Sequence, residues 1–365
     1  MGYRSMSRAV VFAVIALPLV TSLAPGFLVL ASHNSLSKLS FRYAFGPQSV
    51  QSAVGIGTLE RQRAIELFNQ REFAEALDLL RAVVAKDKED HVAWYYLGFA
   101  LTQQKKFKDA SKAFETALKL RPNFPAAHSG LGYSFLLRSK LPDAIREAQA
   151  ALKMDPNLAE AYYVIGVARL RTDDQKEALH NAEAALKINS RFANAYLLKS
   201  QALTTFLGEA LVTDISETSE TRRTRFEQAA EALEKYLELA PNSPEKSTWN
   251  VQLEALRFHS KWFAKPSQRT VFSGGAVITK ARVLNKPAPQ FPEDARASGT
   301  RGMVVLKAIF WSDGTVKHIL VLKGLPHGLT EASIRAAQGI KFVPATIEGR
   351  NVSTVIQLEY NFNLF

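Results

Sequence analysis

The 365-residue sequence contains no cysteine. That excludes disulfides, thiolate metal ligands and cysteine nucleophiles. Histidine is scarce: the seven are His33, His91, His128, His180, His259, His318 and His327. No two stand at the spacing of a metal-binding pair. There is no Gly-x-Ser-x-Gly elbow and no phosphate-cradling glycine loop, and Ser273-Gly274-Gly275 reads as linker punctuation. Carboxylates paired for acid–base work are lacking as well. The sequence therefore leads us to expect no catalytic residue, no cofactor and no metal, and so not an enzyme.

Acidic residues are missing altogether from the first 56 positions, which hold four basic ones. Residues 57–242 are balanced, with 26 basic and 26 acidic residues. Residues 243–285 carry seven basic and two acidic, and residues 286–365 nine and six. The net charge of +12 thus sits in flanks and linkers. A nucleic-acid binder concentrates basic residues on a folded face, interleaved with aromatics, so no nucleic-acid partner is expected. Hydrophobic residues make up 47% and charged residues 22%, values of a folded globular chain.

Arg4 and Arg8 precede an uncharged, mainly apolar run, residues 9–31, broken by Pro18 and Pro25. At ~1.5 Å per residue it is long enough to cross a bilayer core of ~30 Å. The basic flank favours a cytoplasmic N-terminus and an exported body. Two readings stay open: a cleaved signal peptide, with Val29 and Ala31 in the small-residue positions of its cleavage site, leaving a soluble periplasmic protein, or a retained single-pass inner-membrane anchor. The run exceeds the usual ~7–15 residues of a signal-peptide core, which favours the anchor. Residues 1–31 are assigned to this segment and 32–56 to a linker.

Residues 57–242 repeat at a period of 34. Trp94, His128, Tyr162 and Tyr196 share one column, Leu97, Leu131 and Ile165 a second, Gly98, Gly132 and Gly166 a third. Ala110, Ala144 and Ala178, then Ala117, Ala151 and Ala185, and finally Pro122 and Pro156 keep the same register. Small residues let two helices approach, and proline stops the second. Such hairpins bury their apolar faces only by stacking. Five units are read, the fifth with an exposed loop inserted at about 208–225. A capping helix is expected over 243–264, carrying Trp249, Leu253, Leu256 and Trp262, and a basic linker over 265–285.

This column pattern resembles the tetratricopeptide repeat. The resemblance implies an α-solenoid whose first helices line a concave, protein-binding groove. Its inward columns fall on Tyr95, Phe99, Tyr133, Tyr163 and Val167. Family members that clamp chaperone C-terminal carboxylates carry Lys and Asn there. The aromatic columns here imply an apolar or extended peptide, or else simple packing between helices.

Residues 286–365 change pattern. Pro292-Glu293-Asp294 starts a helix that ends near Gly299. Gly302–Trp311 and Val316–Leu322 read as strands joined by an Asp313-Gly314 hairpin turn. A helix over about Thr330–Gln338 follows. The last strand, about Val352–Asn363, places Val352, Ile356, Leu358, Tyr360 and Phe362 on one face, with Thr354 as the polar exception. The ordered set Pro289, Phe291, Pro292, Ala295, Arg296, Gly302, Val304, Asp313, Gly314, Val316, Phe342, Pro344, Ala345, Gly349 and Val352 resembles the C-terminal domain of the TonB family. That resemblance implies a small antiparallel sheet with two helices, working in the periplasm. It implies capture of an extended segment of outer-membrane transporters by strand addition. Implied contacts are Phe291 and Pro292, at the family's Tyr-Pro position, and the edge near Val352, Thr354, Ile356, Leu358 and Tyr360.

The expected architecture is therefore a mainly α chain: a tetratricopeptide solenoid, then a TonB-like α+β domain. The expected function is an exported adaptor that binds proteins or peptides through both. One rival is an energy transducer, but residues 9–31 lack the histidine, and the chain lacks the proline-rich spacer, of that family's full-length members. The other is an envelope scaffold without a transport role.

Overall fold

The computed structural model describes residues 59–213, 218–243, 245–264, 271–272, 279–297 and 299–363. The apolar run over 9–31 lies outside them, and among the described residues no helix is long and apolar enough to cross a membrane.

Five helical hairpins come first. They are α1 (Leu59–Asn69) with α2 (Phe73–Lys86), α3 (His91–Gln103) with α4 (Phe107–Leu120), and α5 (Pro125–Leu137) with α6 (Leu141–Met154). Then come α7 (Ala159–Arg171) with α8 (Gln175–Ile188) and α9 (Ala193–Thr213) with α10 (Ser219–Leu239). The period is written into the backbone: Arg71, Lys105, Ser139 and Asp173 each turn the chain between paired helices at positive φ, between 57° and 71°. The two helices of a hairpin bury differently. In α3 every residue from Tyr95 to Thr102 is buried, as in a helix enclosed on all sides. In α4 only Ala110, Ser111, Ala113, Phe114 and Ala117 are, one stripe at helical spacing.

The repeating columns acquire physical roles. A Cβ added to Gly98 would stand 2.7 Å from the Phe114 ring, and one added to Gly166 only 2.6 Å from Leu198 Cδ2. A side chain at either position would force Phe114 or Leu198 to shift. The bulky column has polar tips for a reason. Trp94 Nε1 donates to Lys88 O at 2.9 Å, and Tyr196 OH to Ser190 O at 3.2 Å. His128 Nε2 lies 3.3 Å from Pro122 O. Each reaches back six residues to a carbonyl in the turn between hairpins. At the first junction Asp90 caps α3, accepting from the Val92 and Ala93 amides, while buried Arg61 on α1 pairs with it at 2.9 Å.

The expected loop at 208–225 is corrected. Residues 208–213 continue α9, and α10 begins at Ser219; only 214–217 lie outside the described residues. The Ser/Thr-rich composition argued for a loop, but Thr218 caps α10 by accepting from the Thr221 amide at 3.2 Å. Arg223 then pairs with Glu220 and Glu227 at helical spacing. Local capping and charge pairs outweighed composition. A further helix, α11 (Lys246–Ala264), packs on α10 through Trp249, Ala255, Leu256 and Phe263.

The C-terminal part is α+β. Its main sheet runs β1 (Val271–Phe272), β7 (Arg350–Phe362), β3 (Gly302–Phe310), β4 (Val316–Lys323), with β6 (Ala345–Ile347) also on β7. β1 is parallel to β7 and the other pairs are antiparallel. β2 (Arg282–Asn285) and β5 (Lys341–Val343) form a separate antiparallel ribbon. The short α12 (Glu293–Ala297) and α13 (Leu329–Gln338) complete the domain. One sheet face, with Val304, Leu306, Ala308, Leu358 and Tyr360, shares a core with α13.

The other face is not free. Leu320, Leu322 and half-buried Val305 share a core with Phe226, Leu233, Trp249, Leu256 and Phe263 of α10 and α11. The sheet therefore lies between its own helix and the end of the array. β4 is an edge strand, and two of its outward backbone groups are satisfied by a side chain. Gln252 Nε2 donates to Ile319 O at 2.8 Å, and its Oε1 accepts from the Val321 amide at 2.9 Å. A carboxamide can donate an N–H and accept at its carbonyl as a peptide unit does, so Gln252 takes the place of a neighbouring strand at Ile319 and Val321. His318 sits beside this contact, in a bulge with φ of 50°, and stacks on Phe258 at 4.0 Å between ring centroids. Two ion pairs, Lys105–Asp294 at 3.1 Å and Lys323–Asp173 at 2.6 Å, tie the domain to the hairpin turns.

Candidate functional site

With β4 covered, the remaining edge of the sheet is the outer side of β7. β6 pairs with it at Arg350–Val352 and β1 at Ser353 and Thr354. Among the described residues no strand lies on the outer edge from Val355 to Phe362. Antiparallel pairing alternates: one set of residues turns its backbone groups toward β3, the next set away. Gln252 holds the outward groups of Ile319 and Val321, so Leu320 faces Lys307 on β3, and the residues either side of Lys307, Leu306 and Ala308, face Leu358 and Ile356 on β7. The carbonyl of Glu359, in the other set, accepts from Lys286 Nζ at 2.9 Å. The outward set is thus Val355, Gln357, Glu359 and Asn361.

Side chains follow the same alternation. Leu358, Tyr360 and Phe362 are buried toward α13, while Gln357, Glu359 and Asn361 are exposed on the opposite face. Of the edge residues expected from sequence, Thr354, Leu358 and Tyr360 are buried and Val352 and Ile356 half-buried. They hold the strand in place. The groups available to a partner are backbone amides and carbonyls of the residues between them. The Tyr360 hydroxyl is buried, which pushes its pKa up to about 12.

Phe291 and Pro292 are half-buried at one end of this strand. The Phe291 ring meets Phe362 edge-on at 5.6 Å and lies 5.5 Å from the Arg296 guanidinium. The Pro292 carbonyl accepts from the Ala295 and Arg296 amides, so it opens α12. Both residues anchor the segment beside the last strand and remain partly accessible.

The groove residues expected in the array are placed differently. Tyr95, Phe99, Tyr133 and Tyr163 are buried within the array, and Val167 is half-buried. Tyr95 packs against Tyr96, Phe99, Phe114 and Phe124, and Tyr163 against Phe192. In this structure these four rings are spent on contacts between helices. Sequence reasoning missed Gln252 and Lys286. A signal for the first was present: Ile319, Leu320, Val321 and Leu322 form an unbroken apolar run, the mark of a strand covered on both faces.

A family model described as the Gram-negative bacterial TonB protein C-terminal matches residues 287–364. Two tetratricopeptide-repeat models match residues 67–132 and 138–194. No curated protein matches the chain. Among solved structures, MamA of Desulfovibrio magneticus is 22% identical, covering 51% of this chain and 96% of that one, with a TM-score of 0.38. A thermophilic tetratricopeptide-repeat protein of Thermus thermophilus is 15% identical over 55% of this chain and 97% of that one, with a TM-score of 0.42. The pilF protein of Pseudomonas aeruginosa is 15% identical over 57% and 96%, with a TM-score of 0.40. The family matches point to binding of proteins or peptides in a TonB-like context. The chain is a tetratricopeptide-repeat protein with a C-terminal domain of the TonB family.

Proposed function

We propose that the chain is an exported cell-envelope adaptor, held in the inner membrane through residues 9–31 with its body in the periplasm. Its repeat array holds the sheet by the β4 side and engages protein partners of its own. The outer edge of β7 takes an extended segment of an outer-membrane transporter as an added strand. One observation carries this reading: Gln252 holds the middle of one sheet edge, at Ile319 and Val321, while among the described residues no strand pairs with the other edge from Val355 to Phe362. Main-chain hydrogen bonds to Val355, Gln357, Glu359 and Asn361 supply affinity, and the alternating side chains of the incoming segment supply choice. The chain acts here by binding, without a chemical step.

The test is photocrosslinking in cells. A photoreactive side chain in place of Gln357 is expected to capture an outer-membrane transporter. The same group in place of Lys317, on the closed β4 edge, is expected not to. Equal capture at both positions, or none at Gln357, contradicts strand addition at β7.

A further inference from the structure

Strand addition at β7 meets an occupant already in place. Lys286 Nζ donates to the carbonyl of Glu359, within the stretch of β7 that no strand covers among the described residues, and stands 4.6 Å from the centroid of the Tyr360 ring. An incoming strand needs that carbonyl for its own amide. The ammonium stands in the path of that strand, and a lysine displaced from a carbonyl and an aromatic face gains by meeting an anion.

The charge around the edge makes the same point. The β2–β5 ribbon and its approaches carry Lys280, Arg282, Lys286 and Lys341 and no acid over 279–286 and 341–347. On the β6–β7 hairpin Arg350 faces Glu348 and Glu359 in the count. The Glu359 carboxylate accepts from Gln357 Nε2 at 2.9 Å, so its charge is already engaged along its own strand. These segments together are net positive.

We propose that Lys286 closes the outer edge of β7 in the free chain and selects, as the segment that displaces it, an extended peptide bearing a carboxylate beside the residue that pairs with Glu359. This rests on the strand-addition reading above. Lys286 is a specificity residue: the backbone edge accepts any extended chain, and the released ammonium favours an acidic one. Phe291, packed on Phe362, marks the end of the strand from which Lys286 reaches across.

The test measures binding of three dye-labelled eight-residue peptides to the full chain. Each alternates Val and Thr and carries Glu, Gln or Lys at its fourth position. The native chain is expected to bind the Glu peptide about three- to fivefold more tightly than the Gln peptide, the span of a partly exposed ion pair, and the Lys peptide least. Lys286→Glu is expected to reverse that order. Lys286 is exposed, so the fold does not depend on it. The same order in both chains, or no order in the native chain, overturns the role of Lys286 while leaving strand addition standing. No binding of any peptide to either chain overturns strand addition itself, and this inference with it.

Discussion

Replacing Phe114 with alanine is expected to lower the stability of the array by about 3–5 kcal/mol, the cost of deleting a fully buried ring from a packed core. Phe114 is wholly inaccessible to solvent. Its ring fills space that two glycines leave, since a Cβ on Gly98 or on Gly130 would come within 2.7 or 2.6 Å of it. It also packs against Tyr95 at 6.0 Å and Phe99 at 4.9 Å between ring centroids. Its loss therefore opens a void at the junction of α3, α4 and α5, across two successive repeats. The neighbouring helices are fixed by their own partners and collapse into the void only in part. A fall in the urea midpoint of the array with an unchanged slope is the expected reading. A change below about 1 kcal/mol would show that the junction repacks freely, contrary to the close approach of the helices.

The second large effect is on pH dependence. His259, on α11, is buried against the sheet and stacks on Phe226 at 5.2 Å. Burial, then the nearby Lys307 on β3 and His318 on β4, push its pKa down to about 3. Lys307 is itself held down to about 8 by burial and by Arg222 on α10. The acids at this junction are Glu227, which accepts from Ser260, and Glu254, 3.6 Å from His318 Nδ1. A histidine kept neutral by the fold contributes stability that is full above its unfolded pKa of ~6.5 and declines as pH falls toward about 3. At pH ~4.5 the loss is about 2–3 kcal/mol, at 1.36 kcal/mol per unit.

Buried Glu245 acts in the opposite sense. Its pKa is raised to about 8, first by burial, so lowering the pH favours the folded state through that group. Glu245 is common to the native chain and to His259→Phe, so the comparison of the two isolates His259. Relative to the native chain, His259→Phe is expected to gain about 2–3 kcal/mol between pH 7.5 and 4.5, measured by denaturant unfolding. Parallel stability curves for the two chains would show that His259 is not held neutral.

The array was readable because its constraints recur. Gly98, Gly132 and Gly166 meet the same requirement for close approach three times, and the period makes each visible through the others. The TonB-like domain was readable from the order of its turn, cap and strand residues, from Pro292 through Asp313-Gly314 to the alternation of Val352–Phe362. The junction between the two was not readable in the same way. Gln252, Phe258 and His318 each act once, in pairs separated by more than 50 residues of chain, and no periodicity connects them. The groove residues show the limit of transfer from a family. Tyr95, Phe99, Tyr133 and Tyr163 stand in inward columns, but in this chain they are buried among their neighbours in the array's core. Strand placement held for β7, while the use of its residues differs: the named side chains hold the core, and the backbone between them is what a partner meets.

Amide hydrogen exchange of the full chain, with and without an acidic extended peptide, bears most directly on the account of one closed and one open edge. Without peptide, the Val321 amide, held by Gln252, is expected to exchange slowly, and the amides of Gln357, Glu359 and Asn361 quickly. Adding the peptide is expected to slow those three and to leave Val321 unchanged. Fast exchange at Val321, or protection by peptide that appears at β4 instead of β7, would contradict it.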